Sequence, residues 1–187
     1  MLTRLAWSFV LANLSMKRHP TTPAAMVTAV TVEYEFQAAG QLWLRYCVEG
    51  GKNSLIWPTT NQSKRTDDLW HTSCFELFLR RPGTQPYFEF NFSPSSQWAA
   101  YQFDGYRAGM ADWDIAAPQI YADNSTTHHA LEATVRIPDG DWEASLSAVI
   151  HERQDIKSFW ALNHPVGPPE FHHSDCFVLK LVSPQTL

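Results

Sequence analysis

From residue 30 onward this chain alternates apolar and polar side chains with a period of two, and no long window keeps a 3.6-residue period. Successive side chains of a strand point to opposite faces, so a chain patterned this way builds sheets. Val30, Val32, Tyr34 and Phe36 interleave with Thr31, Glu33 and Glu35, and Leu42, Leu44, Tyr46 and Val48 interleave with Trp43, Arg45 and Cys47. Ala38-Ala39-Gly40 lies between the two runs as a short turn, which predicts a hairpin. Further strands are expected at 54–57, 74–79, 87–92, 98–103, 120–122, 131–137, 146–150, 158–163 and 176–182, with Pro82-Gly83, Ser93-Pro94-Ser95-Ser96 and Pro138-Asp139-Gly140-Asp141 as turns. About ten strands with turns at short intervals predict an all-β antiparallel β-sandwich of jelly-roll type rather than a βαβ protein.

The 187 residues suit one domain, and 44% hydrophobic content supplies a core that a disordered chain lacks. A net charge of −5 without a basic patch argues against a nucleic-acid partner. Cys47, Cys74 and Cys176 show no CxxC spacing, so they read as free thiols rather than a disulfide framework or a thiolate zinc site. That usage favours a reducing compartment, and a cytoplasmic location is expected. Residues 1–16 carry Arg4, Leu5, Trp7, Phe9, Val10 and Leu11 and then reach Met16, so they read as a leader or a mis-assigned start. The domain is placed at 17–187, and a periplasmic or secreted location is the alternative if 1–16 acts as a signal. The apolar run is too short to span a bilayer, so no membrane partner is expected. The aromatic content of 13%, with 8 Trp, suits either a β-rich core or a stacking site.

Residues 74 to 92 form the most informative hairpin. Phe75, Leu77 and Leu79 share one face with Phe88, Phe90 and Phe92, and a tight loop over Arg81-Pro82-Gly83-Thr84 would set Leu77 opposite Phe88 and Glu76 opposite Glu89. Glu76, Glu89, Asn91 and Tyr87 then share the other face. Two carboxylates about 5 Å apart at an effective dielectric near 20 repel by roughly 3 kcal/mol. Arg65 or Arg107, a histidine cation, a metal, a shared proton or solvent screening could offset that repulsion.

The blocks Arg65-Thr66-Asp67-Asp68-Leu69-Trp70, Thr72 to Leu79, Tyr87 to Pro94, Trp98-Ala99-Ala100-Tyr101, Tyr106 to Met110, Trp160 to Pro165 and Glu170-Phe171-His172, with His19-Pro20, form a recognisable pattern. Over residues 17 to 182 the chain resembles the bacterial DOMON-like domain proteins, which are similar to family-9 carbohydrate-binding modules and to haem- or sugar-binding DOMON domains. The resemblance implies a sandwich whose concave face or edge binds a sugar or a haem. Glu170 stands where the pattern has Asp, which keeps a carboxylate.

Three ligand readings follow. A sugar offers apolar C–H faces and a hydroxyl rim, so its site needs aromatic platforms beside paired polar groups. Trp57, Trp70, Trp98 and Tyr101 could stack, and Glu76, Glu89, Asn91 and Arg107 could hydrogen-bond, with His164 and His172 as neighbours. A noncovalent haem would need Met110 facing His71, His164 or His172. A metal-assisted enzyme would use the loop holding His164, Glu170, His172 and His173, although no GxSxG, HExxH or P-loop spacing occurs. The expected site is therefore Trp70, Glu76, Glu89, Asn91, Trp98, Tyr101, Arg107, His164 and His172, non-catalytic, for a small molecule of saccharide type. No cofactor is assigned, with haem or calcium as alternatives; oligomeric state is left open.

Overall fold

A computed structural model describes residues 12–37, 40–51, 53–59, 62–124 and 129–182. The strands run in chain order as β1 (Ala12–Ser15), β2 (Lys17–Arg18), β3 (Val27–Gln37), β4 (Gln41–Gly50), β5 (Lys64–Arg65), β6 (Cys74–Arg80), β7 (Tyr87–Phe92), β8 (Gln97–Phe103), β9 (Ala111–Asp112), β10 (Gln119–Asn124), β11 (His129–Arg136), β12 (Trp142–Glu152), β13 (Ile156–Ala161) and β14 (Leu179–Leu181). They form two sheets. A five-stranded sheet has the order β1-β3-β4-β11-β10, and a nine-stranded sheet runs β2-β13-β12-β6-β7-β8-β5 with β14 beside β12 and β9 beside β8. The described pairings are antiparallel except β5 with β8. The architecture is the expected all-β sandwich.

The core follows from the alternation. Val30, Val32, Leu42, Leu44, Tyr46 and Val48 of the smaller sheet meet Phe75, Leu77, Leu79, Phe90, Phe92 and Leu146 of the larger one. Tyr46 is buried there, and its hydroxyl donates to the Glu76 carbonyl oxygen at 2.8 Å. That bond satisfies a polar atom which would otherwise cost stability inside the core.

The β3–β4 hairpin pairs as expected, from Val30↔Val48 to Gln37↔Gln41. Of its expected turn, Ala38 and Ala39 lie outside the described residues. Gly50 ends β4 with φ of +80°, and a Cβ there would come within 2.2 Å of the Met26 carbonyl oxygen, so glycine is needed. The expected strand at 54–57 reduces to a single bridge, Leu55 with Glu152. Residues 12–15, placed by the sequence within the leader, pair with β3 at the edge of the smaller sheet, and Met16 is buried. Residues 1–11 of that segment lie outside the described residues. No helix among the described residues is long and apolar enough to cross a membrane.

Glu152 is fully buried at the end of β12. Its carboxylate accepts the Ala25 and Met26 N–H groups at 2.9 and 2.8 Å and the Ser54 hydroxyl at 3.0 Å. One side chain thereby ties the loop before β3 and the loop after β4 to the larger sheet. Glu152→Ala should lower unfolding free energy by roughly 2 kcal/mol, since it leaves the Ala25 and Met26 N–H groups without their acceptor, while the Ser54 hydroxyl keeps the Gly51 carbonyl oxygen at 3.0 Å. Urea denaturation measures this, and a loss well under about 1 kcal/mol would contradict the assigned role.

Candidate functional site

The outer face of the larger sheet, turned away from the smaller one, is not open to water. Cys74, Glu76 and Phe78 of β6 are buried, as are Tyr87, Glu89 and Asn91 of β7 and Ala99, Tyr101 and Phe103 of β8. Three segments cover this face. They are the single-turn 3-10 helix Leu69–His71, the connection from Asp104 to Met110, and the long connection after β13 that carries Phe171, His172 and Phe177. Between them a cleft of about 460 Å³ remains, with Glu76, Glu89, Asn91, Tyr101 and Val149 on its floor and Trp70, Arg107, Phe171 and His172 around it.

The register of β6 and β7 differs from expectation. Glu76 faces Asn91 and Glu89 faces Phe78, so the two acids are diagonal rather than directly opposed. The connection occupies residues 81–86 rather than a tight four-residue loop, which slides β7 by two positions. An even slide preserves the faces, so both acids still point into the same cleft.

The acids are deeply placed, with Glu76 4% and Glu89 8% exposed. Ser147 of β12 donates its hydroxyl to Glu76 Oε2 at 2.7 Å, and Asn91 Nδ2 donates to Glu89 Oε1 at 2.6 Å. Burial, reinforced by the neighbouring Glu89 charge, pushes the Glu76 carboxyl up to about 8; burial pushes Glu89 up to about 7, against the Asn91 bond and Arg107. The repulsion is therefore relieved chiefly by proton uptake. The arginines considered for that task are engaged elsewhere. Arg65 donates to the Ala100 and Trp113 carbonyl oxygens at 2.8 and 2.7 Å, and Arg107 binds both oxygens of Glu170 at 3.0 Å. Solvent screening is weak as well, because both acids are almost fully buried on the cleft floor.

Arg107 is non-glycine at φ of +51°, a conformation costing on the order of 1 kcal/mol. The paired bonds to Glu170 and a bond from its own N–H to the Tyr87 hydroxyl oxygen at 3.2 Å hold it there. Glu170 also accepts the His172 N–H at 2.8 Å and the Tyr106 hydroxyl at 3.0 Å, so it joins two of the covering segments. The Tyr87 hydroxyl meets His172 Nδ1 at 2.8 Å, and His172 Nε2 stands 3.9 Å from Glu89 Oε2. That last separation is too long for a hydrogen bond. Burial, with Arg107 nearby, pushes His172 down to about 4, so its ring is neutral near pH 7.

Seven of the nine expected residues meet around this cleft: Trp70, Glu76, Glu89, Asn91, Tyr101, Arg107 and His172. Trp98 and His164 lie elsewhere. Trp98 points into the inter-sheet core with the Arg65 guanidinium 4.5 Å from its ring, as it must when Tyr101, three residues along the same strand, faces the cleft. His164 donates from Nε2 to the Lys17 carbonyl oxygen at 2.8 Å and meets His19 edge-on. Trp57, a further candidate platform, packs on Phe75 and His129. Asp68, Phe103, Phe159 and Phe171 line the cleft without having been singled out as site residues, although Phe103 follows Tyr101 by two on the same face.

The haem and metal readings find little to build on. His71 stacks on Trp70 with ring centres 4.0 Å apart, His164 is turned away, and His172 has its Nδ1 bonded to Tyr87. Met110 lines the cleft but is 59% exposed. Among the described residues no group of three His, Cys, Asp or Glu side chains is arranged to hold a metal ion.

No family model matches the chain, and no curated protein matches it. A crystal structure of a candidate carbohydrate-binding protein from Bacteroides uniformis ATCC 8492 is similar in fold. It has 12% identity and a TM-score of 0.62, over 92% of this chain and 86% of that one. At that identity the likeness concerns the fold.

The raised carboxyls give the stability a defined pH dependence. Both are shifted above the ordinary glutamate value of 4.5, so this pair holds more protons in the folded than in the unfolded chain up to about pH 8, and its contribution to stability falls as pH rises through that range. The lowered His172 and His164 act in the opposite sense, but only below about 6.5. From pH 6.5 to 8 the acids therefore act alone, at no more than about 1.4 kcal/mol per pH unit for each proton. Denaturation midpoints should decline over this interval and decline less in Glu76→Gln, which should be no less stable than the parent at pH 8. Parallel slopes would remove Glu76 from this account.

Proposed function

We propose that this chain is a non-catalytic domain that binds a small carbohydrate or sugar-like ligand in the outer-face cleft. The observation that carries the reading is the meeting of aromatic faces with directional polar groups in one hollow. Trp70, Tyr101, Phe103 and Phe159 offer surface for the C–H faces of a ring, while Glu76, Glu89 and Asn91 offer partners for its hydroxyls. The volume suits a mono- or disaccharide rather than a long chain laid across a flat face. The fold likeness to a candidate carbohydrate-binding protein supports the reading, as does the resemblance to DOMON-like proteins and family-9 carbohydrate-binding modules.

Trp70 is 47% exposed at the cleft rim, whereas Trp98 is 6% exposed between the sheets. Trp70→Ala should weaken saccharide binding about tenfold and leave stability within about 0.5 kcal/mol. Trp98→Ala should cost about 3–5 kcal/mol of stability. Calorimetric titration with mono- and disaccharides, paired with thermal melts, separates the two. Absence of any saccharide binding at millimolar concentration would remove the proposal.

A further inference from the structure

Inside the cleft carboxyl groups outnumber free cationic groups, and bound protons rather than counter-ions keep the buried acids uncharged. Asp68, Glu76 and Glu89 line it, and the only bases lining it among the described residues are Arg107 and His172. Arg107 is already committed through both of its bonds to Glu170, and the His172 ring is neutral. Each buried acid uses one oxygen on the protein, Glu76 Oε2 with Ser147 and Glu89 Oε1 with Asn91. Neither Glu76 Oε1 nor Glu89 Oε2 receives a hydrogen bond from a described residue, and both side chains face the cleft. Around Glu76 stand Cys74, Asn91 and Ser147, with Tyr46 on its backbone; around Glu89 stand Asn91, Tyr101 and His172, with Arg107 reaching toward both from the covering loop.

Once their proton is given up, two buried carboxylates with a spare oxygen each form an acceptor-rich, cation-poor wall. A hydroxyl brings one donor to such a wall. A primary ammonium brings three donors and the charge that the wall lacks. Tyr101 and Phe103 add aromatic surface beside the acids, which attracts a cation further.

We propose that the preferred ligand of this cleft carries a primary amine, as an amino sugar does, and that its ammonium sits between Glu76 and Glu89. This deepens the saccharide reading and rests on it. An arriving cation takes over the role of the proton that keeps the acid pair uncharged, so binding at neutral pH expels a proton from the carboxyl pair. A neutral sugar does not.

The test is titration calorimetry on the full chain at pH 7 with glucosamine, glucose, N-acetylglucosamine and cyclohexylamine, each in two buffers of different ionisation enthalpy. Glucosamine should bind about tenfold or more tighter than glucose or N-acetylglucosamine, with proton release that the neutral sugars lack. The Glu76→Gln, Glu89→Gln double variant should lose that preference and the proton release. The ligand series on the unmodified chain decides the matter even if the double variant does not fold. Equal binding of glucose and glucosamine would overturn the ammonium site and leave the saccharide site standing. Binding of cyclohexylamine with proton release, and of no sugar, would support the ammonium site and remove the saccharide reading. Binding of none of the four at millimolar concentration would overturn both.

Discussion

A sheet covered on both faces must hide polar atoms in two directions, and the larger sheet of this protein meets that constraint in two ways. Toward the smaller sheet it presents hydrocarbon, with Tyr46 sending its hydroxyl back to a strand carbonyl. Toward the covering loops it presents mixed chemistry, where Phe78, Tyr87, Phe103 and Phe177 pack beside Glu76, Glu89 and Asn91. Neither acid could be tolerated there as an isolated charge. Protonation, the Ser147 and Asn91 bonds and an opening into the cleft make the burial tolerable, and the same three circumstances make the position useful for recognition.

The Arg107–Glu170 pair belongs to the same economy of charge. Its geometry is bidentate, which is the strong form of such a contact. By satisfying Glu170 it holds the covering segments against each other, and by being satisfied it acts on the floor acids only through its field, with no direct bond to either. The arginine therefore shapes the cleft by being occupied at its edge.

The alternation of apolar residues made the sandwich and most of the long strands readable, because period two leaves little freedom once a core must form. Residue-level geometry was harder to read for identifiable reasons. The β6–β7 register depends on how many residues the connection spends, and Pro82-Gly83 suggested a tighter loop than 81–86. Face membership survives that difference, so Glu76, Glu89 and Asn91 share one face in either register. Trp98 and Tyr101 could have been separated from the start, since an odd spacing on one strand sends them to opposite faces. The cover was legible only in part: Trp70, Arg107 and His172 stood among the expected residues, but Pro169 and Phe171 come from a connection without periodicity, and only long-range packing brings them over the sheet. Short strands such as β5 and β9, with two residues each, carry too little pattern to be seen.

The tip of the β6–β7 hairpin has a bearing on how such chains can diverge. Its connection lies away from the cleft, with Gly83 meeting no neighbour where a Cβ would stand. Gain or loss of a pair of residues there would move β7 along its partner and leave every side chain on its present side. A single insertion absorbed by the strand would instead turn Glu89 and Asn91 into the hydrocarbon layer and bring Phe88 and Phe90 out to the hollow. Homologous chains should therefore tolerate length changes at this tip in steps of two.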